Sequence, residues 1–144
     1  MTAETMFKVW TTRAMLVAVL AVGVAACDDE TPTSPNNPRD PVTETFTGQV
    51  TPNGAKTHTF STASSGTVTA TLKEVAPDSA LVIGFNLGNW DGSSCQLVFS
   101  NTQATKGAVL SGTVSGIGNL CVIVNDVGNI TDAPASYTVE VVHP

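Results

Sequence analysis

The sequence predicts an all-β domain over residues 43–144, an antiparallel two-sheet β-sandwich with a jelly-roll-like arrangement of about eight strands. Three observations lead to this prediction. Apolar and polar residues alternate in short runs, which is the pattern of half-buried antiparallel strands. Glycine, proline, asparagine and aspartate interrupt these runs at near-regular intervals, as in sandwiches and jelly rolls. These 102 residues also contain fifteen threonines and eleven glycines, a composition that favours strands and turns over helices.

The predicted strands follow one another along this region. The third is the clearest, because Val68, Ala70 and Leu72 share one side while threonines occupy the other. In the fifth strand the same alternation predicts an apolar face that carries Cys95, Leu97 and Phe99. No window of ten or more residues has the 3.6-residue period of a helix. In chain order, the strands are predicted at residues 43–50, 56–61, 67–73, 80–87, 95–100, 107–114, 120–126 and 136–142.

The first 26 residues are predicted to be a lipoprotein signal peptide. Lys8 and Arg13 precede an uninterrupted apolar run at residues 14–26. As a helix this run would be about 20 Å long, whereas the hydrocarbon core of a bilayer is roughly 30 Å thick. Its length therefore fits a secretory signal better than a transmembrane helix. The run ends in Val24-Ala25-Ala26-Cys27, which resembles the bacterial lipobox.

The lipobox resemblance implies a protein of the bacterial cell envelope that is anchored to a membrane by lipid. In that family the cysteine, here Cys27, is alkylated with a diacylglycerol and becomes the first residue after cleavage. Two acyl chains, such as palmitate, give stable anchoring where one gives marginal binding. The alternative is an ordinary signal peptide that is cut after Ala26. Three acidic residues follow Cys27, which in enteric bacteria resembles an inner-membrane retention signal, and the choice between outer and inner membrane stays open.

Residues 27–42 are predicted to be the lipidated cysteine and a disordered tether. The tether contains four prolines and shows no apolar periodicity, which indicates an extended polyproline-like spacer. Without the signal peptide, 144 − 26 = 118 residues remain, with 4 Lys and Arg against 11 Asp and Glu, a net charge of 4 − 11 = −7. Because nucleic-acid binding needs clustered Lys and Arg, we expect no nucleic-acid partner.

The two remaining cysteines, Cys95 and Cys121, are predicted to form a disulfide. An even number of cysteines in an exported domain is typical of disulfide pairing. Closing a loop of about 26 residues would contribute roughly 3.5 kcal/mol in the chain-entropy model. A metal site is the weaker alternative, because the only histidines, His58 and His143, are not close to a CxxC motif. A redox-active pair is also weaker, because both cysteines lie in predicted strands.

The folded region resembles the bacterial pre-peptidase C-terminal domain over about residues 43–142. Residues 47–50 and 56–61 resemble that family's glycine-bearing first strand and the following strand with an aromatic residue. Residues 65–72 and 118–124 resemble two of its glycine-led strands, and Tyr137 stands where the closing strand has its tyrosine. The sequence departs from the family before the fourth strand, where one aspartate stands in place of an acidic pair. The resemblance implies a non-catalytic sandwich, of a kind implicated in substrate or matrix binding.

Two segments carry the candidate ligand sites. In the first, Asn89, Trp90 and Asp91 form a predicted loop whose indole could stack on a sugar ring while its neighbours hydrogen-bond hydroxyl groups. The alternative is that Trp90 caps one end of the core. In the second, residues 125–129 could supply oxygen ligands to calcium, and the alternative is an Asx turn. His58 is interpreted as a strand-surface histidine, and no catalytic residue, metal site or cofactor is predicted.

These observations predict a lipid-anchored, non-enzymatic envelope protein whose sandwich acts as a binding or structural module. The membrane is the expected partner through the anchor, and a polysaccharide or a protein is the candidate ligand. The alternative function is a carbohydrate-binding module that uses the loop with Trp90. A hydrolase is the least supported class, because residues 112–116 only approximate a nucleophile elbow and no helix is predicted to follow them.

Overall fold

The computed structural model describes residues 40–144, and the predicted signal peptide, Cys27 and most of the tether lie outside these residues. The described residues contain eight strands and no α-helix, so none of them forms a helix that could cross a membrane. The strands are β1 (Val42–Val50), β2 (Ala55–Thr62), β3 (Ser65–Ala76), β4 (Ile83–Trp90), β5 (Cys95–Ala104), β6 (Val109–Ser115), β7 (Gly118–Asn125) and β8 (Ala135–His143).

The strands form two four-stranded antiparallel sheets. One sheet, sheet A, has the order β1-β8-β3-β6, and the other, sheet B, has the order β2-β7-β4-β5. The pairing is nested: the first strand pairs with the eighth, the second with the seventh, the third with the sixth and the fourth with the fifth. This is the strand order of a jelly roll. The predicted antiparallel sandwich of eight strands is confirmed.

The core lies between the two sheets and is built from alternate residues of the inner strands. In β8 every second residue from Ala135 to His143 is buried and the residues between them are partly exposed. This alternation is the reason why the strand is stable, since each large apolar side chain that is buried contributes about 1.5–3 kcal/mol. The fully buried side chains at the centre include Val68, Leu72, Ile83, Phe85, Val122, Val124, Val139 and Val141.

The fourth strand begins and ends later than predicted. Its predicted start, residues 80–82, belongs to a turn in which the Asp78 carboxylate accepts a hydrogen bond from the backbone N–H of Ala80 at 2.8 Å. The Asp78 carbonyl accepts another from the N–H of Leu81 at 3.2 Å. At the other end the strand continues through Trp90, because Trp90 pairs with Cys95. The segment with Trp90 is therefore strand, and the predicted loop is shortened to a turn.

The prediction that Leu97 and Phe99 share one face of β5 is wrong. Leu97 pairs with Gly88 and Phe99 pairs with Leu87, so Val98 is an extra residue, a β-bulge. Because a bulge shifts the alternation by one residue, Leu97 and Phe99 leave the strand on opposite sides. Neither is buried: the exposed fractions are 51% for Leu97 and 40% for Phe99.

Candidate functional site

The predicted disulfide joins Cys95 at the start of β5 to Cys121 in β7, with a Cα–Cα distance of 5.8 Å. Strand β4 lies between these strands in sheet B, and its residue Gly88 pairs with Cys121 on one side and Leu97 on the other. A Cβ atom on Gly88 would lie only 2.2 Å from the carbonyl oxygen of Gln96. The close approach of β5 to β4 beside the disulfide therefore requires glycine at this position.

The three residues of the first candidate ligand site do not point to one place. Asn89 pairs with Leu120 on β7, and Trp90 pairs with Cys95 on β5. Because neighbouring strand residues point to opposite faces, the amide of Asn89 and the indole of Trp90 diverge. Trp90 is half-buried and Asn89 is exposed.

Both oxygens of the Asp91 carboxylate accept hydrogen bonds from residues of the β4–β5 turn and the start of β5. Its Oδ1 atom accepts hydrogen bonds from the backbone N–H groups of Ser93 at 2.9 Å and Ser94 at 2.7 Å. Its Oδ2 atom accepts from the Ser94 hydroxyl at 2.8 Å and from the Gln96 amide at 3.0 Å. These bonds, first that from the Ser94 backbone, hold the pKa of Asp91 well below its usual range. The carboxylate therefore closes the β4–β5 turn instead of facing a ligand.

The second candidate segment is an Asx-type turn. The Asp126 Oδ1 atom accepts hydrogen bonds from the backbone N–H groups of Gly128, Asn129 and Ile130, at 2.9 to 3.1 Å. Its Oδ2 atom accepts from the N–H of Asn53 at 2.8 Å, and this bond is the main reason why the pKa of Asp126 is lowered. The carboxylate thus fastens the β7–β8 loop to the β1–β2 turn. Within residues 40–144, no three acidic, histidine or cysteine side chains group as metal ligands.

His58 is not a strand-surface residue, as the sequence had suggested, but lies between the sheets. Its ring stacks on Phe46 with a centroid distance of 5.0 Å. Its Nε2 atom lies 2.8 Å from the hydroxyl of Tyr137. Burial raises the pKa of Tyr137 to about 12, so this hydroxyl stays protonated beside the imidazole. Burial, and then the positive charge of Lys56, lower the pKa of His58, so the neutral imidazole joins β2 to β8.

We expect His58 to make the folded domain less stable in acid. Its pKa is lower in the folded than in the unfolded chain, so as pH falls below about 6.5 the unfolded chain binds the proton first. Stability therefore declines through this range, by at most about 1.4 kcal/mol per pH unit. Urea unfolding measured at a series of pH values should show a flatter decline for His58→Gln than for the wild type. Equal slopes of stability against pH in the two proteins would contradict this assignment. Both proteins retain His143, so the difference between their slopes reports on His58.

A shallow groove of about 690 Å³ lies beside the outer face of sheet A. Side-chain hydroxyl and amide groups of β1 and β8 line it, together with Lys56 of β2 and Glu74 of β3. Glu74 is engaged with Lys106, whose Nζ lies 3.3 Å from its Oε1. The groove is polar and open. Its principal lining side chains are Thr47, Gln49, Lys56, Glu74, Ser136 and Thr138.

A second surface, which the sequence analysis did not identify, is the edge of the sandwich formed by β5 and β6. Here we call it the β5–β6 edge and define it as residues 95–104 and 109–115. Leu97, Val98 and Phe99 are all exposed, and Val109 at the start of β6 is 54% exposed. A small apolar cleft of about 110 Å³ opens between the sheets at this edge. The signal was present in the sequence, since Lys106 is the only charged residue between positions 92 and 125.

No protein-family model and no curated protein matches this chain. The resemblance to the pre-peptidase C-terminal domain therefore stays a prediction.

Proposed function

We propose that this chain is a lipid-anchored, non-enzymatic protein of the bacterial cell envelope, in which the sandwich serves as a binding or structural module. The observation that carries the proposal is the different use of the three cysteines. Cys95 and Cys121 form a disulfide within the domain, whereas Cys27 follows an apolar run and two alanines in a lipobox-like sequence. Disulfides persist in exported proteins, and a lipobox cysteine carries the anchor.

The environment of the polar side chains supports a non-enzymatic role. His58 is hydrogen-bonded to Tyr137 between the sheets, where it holds two strands together. Asp91 and Asp126 each accept several hydrogen bonds from their own loops, which fixes turns at the two ends of the sandwich. The hydrogen bonds of each of these three side chains thus stabilise the fold. The domain is therefore best described as a scaffold that presents surfaces.

The anchor is tested by replacing Cys27 with serine in the full chain. We expect the wild type to take up labelled palmitate and to sediment with the membranes of a bacterial host, and Cys27→Ser to lose both properties, because serine lacks the thiol that forms the thioether. Asp28→Ser is the matched control: it keeps the cysteine, so labelling should be unchanged, and its distribution between inner and outer membrane reports on sorting. Labelled, membrane-bound Cys27→Ser protein would refute the anchor.

The carbohydrate-binding alternative has less support. Asn89 and Trp90 point to opposite faces, and Asp91 is occupied by its own turn, so only the indole of Trp90 remains of the predicted site. A glycan array with the wild type and Trp90→Ala would decide it. Saccharide binding that is lost in Trp90→Ala would restore this alternative.

A further inference from the structure

Strand β6 is an unprotected edge. It is the outermost strand of sheet A, and it pairs with β3 over seven residues without a bulge. Its other side faces no strand among residues 40–144. The strand contains no proline and no charged residue. A regular, uncharged outer strand of this kind offers a row of backbone N–H and C=O groups to a further strand.

The other three outer strands each carry a feature that hinders pairing. Strand β5 is interrupted by register shifts at two places, which bend it out of a regular ladder. Strand β1 carries Glu44, and strand β2 carries Lys56. Charges and bulges are the usual protection of edge strands. Strand β6 is therefore the outer strand whose surface is best suited to a partner.

The sequence of β6 is close to a palindrome in its side-chain chemistry. If two copies pair antiparallel about Gly112, Leu110 faces Val114 of the second copy and Ser111 faces its Thr113. Leu110 and Val114 are partly buried and pack against the core, whereas Ser111 and Thr113 are exposed on the outer face. The pairing thus joins apolar to apolar and hydroxyl to hydroxyl, both of which favour antiparallel strands.

The surroundings of Gly112 also suit a second copy. The ring of Phe99 fills the space beside this glycine, since a Cβ atom there would lie 2.6 Å from the ring. A partner strand at this edge would cover Phe99 and the neighbouring Val98, which is 57% exposed. Residues 40–144 carry 3 Lys and Arg against 8 Asp and Glu, a net charge of 3 − 8 = −5. Two such domains repel one another, and the β5–β6 edge lets them meet without bringing acidic groups together.

We propose that two copies of this chain form a dimer through their β6 strands. The strands pair antiparallel about a twofold axis at Gly112, so that the two four-stranded A sheets join into one sheet of eight strands. A twofold axis satisfies the isologous pairing that most homodimers use. Val98 and Phe99 of each copy lie beside this axis and become covered. This proposal does not depend on the lipid anchor.

The mass of the assembly tests the proposal. The full chain in detergent should sediment with twice the mass of one chain. In Ser111→Glu with Thr113→Glu, four carboxylates meet across the axis, so the mass should fall twofold. Thr57→Glu with Thr59→Glu places the same charges on exposed threonines of the β2 edge, and that control should remain dimeric. A monomeric wild type, an unaffected β6 variant or a dissociated control would each overturn the proposal, provided that circular dichroism shows all three proteins to be folded.

The register is tested independently by cross-linking in cells. Two differently tagged chains, one with Ser111→Cys and the other with Thr113→Cys, should form a disulfide-linked pair when they are expressed together. Either variant expressed alone should form much less disulfide-linked dimer, because residue 111 of one copy faces residue 113 of the other copy and not residue 111. Equal cross-linking in all three cases would overturn the register. If the cysteine at position 111 cross-links instead to a different protein, the edge binds a foreign strand and the dimer is refuted.

Discussion

Replacing both Cys95 and Cys121 with alanine is expected to lower the free energy of unfolding by about 3.5 kcal/mol. The disulfide closes a loop with a sequence separation of 26, so its loss frees the unfolded chain. Because a domain of this size has a total stability of roughly 5–15 kcal/mol, this is a large fraction of it. Alanine is preferred to serine because Cys121 is completely buried, and a buried hydroxyl would add a cost of its own.

Urea unfolding of the exported protein provides the measurement. The oxidised wild type should have the highest urea midpoint. The midpoints of the reduced wild type and of the double alanine variant should be lower and similar to each other. If reduction leaves the midpoint unchanged, the disulfide does not constrain the unfolded chain. Mass spectrometry after alkylation gives the control, since only the reduced protein should have both thiols of the domain labelled.

Replacing Gly88 with alanine is expected to cost about 3 kcal/mol. The added methyl group would meet the carbonyl oxygen of Gln96 at 2.2 Å and the Cα atom of Leu97 at 3.0 Å. Both are backbone atoms of the paired strand, so no rotation of a side chain relieves the contact. Strand β5 has to move away from β4, which also strains the link between Cys95 and Cys121.

Gly116→Ala is the matched control for this prediction. Gly116 lies in the turn between β6 and β7, has nothing within 4 Å of its Cβ position, and does not adopt a positive φ angle. The same methyl group there should change stability little. Thermal unfolding of both variants gives the comparison, and a Gly88→Ala protein as stable as Gly116→Ala would show that β5 can move at no cost.

The sequence predicted the strands well wherever local alternation and tertiary packing agree. From Val68 to Leu72 in β3 and from Ala135 to Val141 in β8 every second residue is apolar, and these residues are the ones that the core buries. The disulfide could also be predicted, because two cysteines remain once Cys27 is assigned to the predicted anchor, and an even remainder leaves few alternatives.

Strand β5 shows why the rest could not be predicted. The alternation of Leu97 and Phe99 implies a common face, but the bulge at Val98 depends on how β5 fits against Gly88, which is a contact between strands. Asn86 is a similar case, since it lies in an apolar run and is buried. It donates a hydrogen bond to Asn125 at 2.8 Å, and that partner is distant in the sequence.

The three residues of the candidate ligand site diverge for a related reason. Asn89, Trp90 and Asp91 are adjacent in the sequence, but adjacent side chains need not converge. A strand places neighbouring side chains on opposite faces. The Asp91 carboxylate accepts hydrogen bonds from its own turn. The β5–β6 edge was missed because its signal is a lack of charge over many residues, which no single motif records.

The position of β8 has a consequence for the order in which the strands pair during synthesis. Although it is the eighth strand along the chain, it lies inside sheet A, between β1 and β3. A chain that emerges amino terminus first therefore holds β1 without a neighbour until the eighth strand arrives, and only then do the two parts of this sheet join. Such long-range pairing makes folding slow. During that interval β1 and β3 each expose an unpaired edge, and a chaperone that binds extended strands would find its binding sites there.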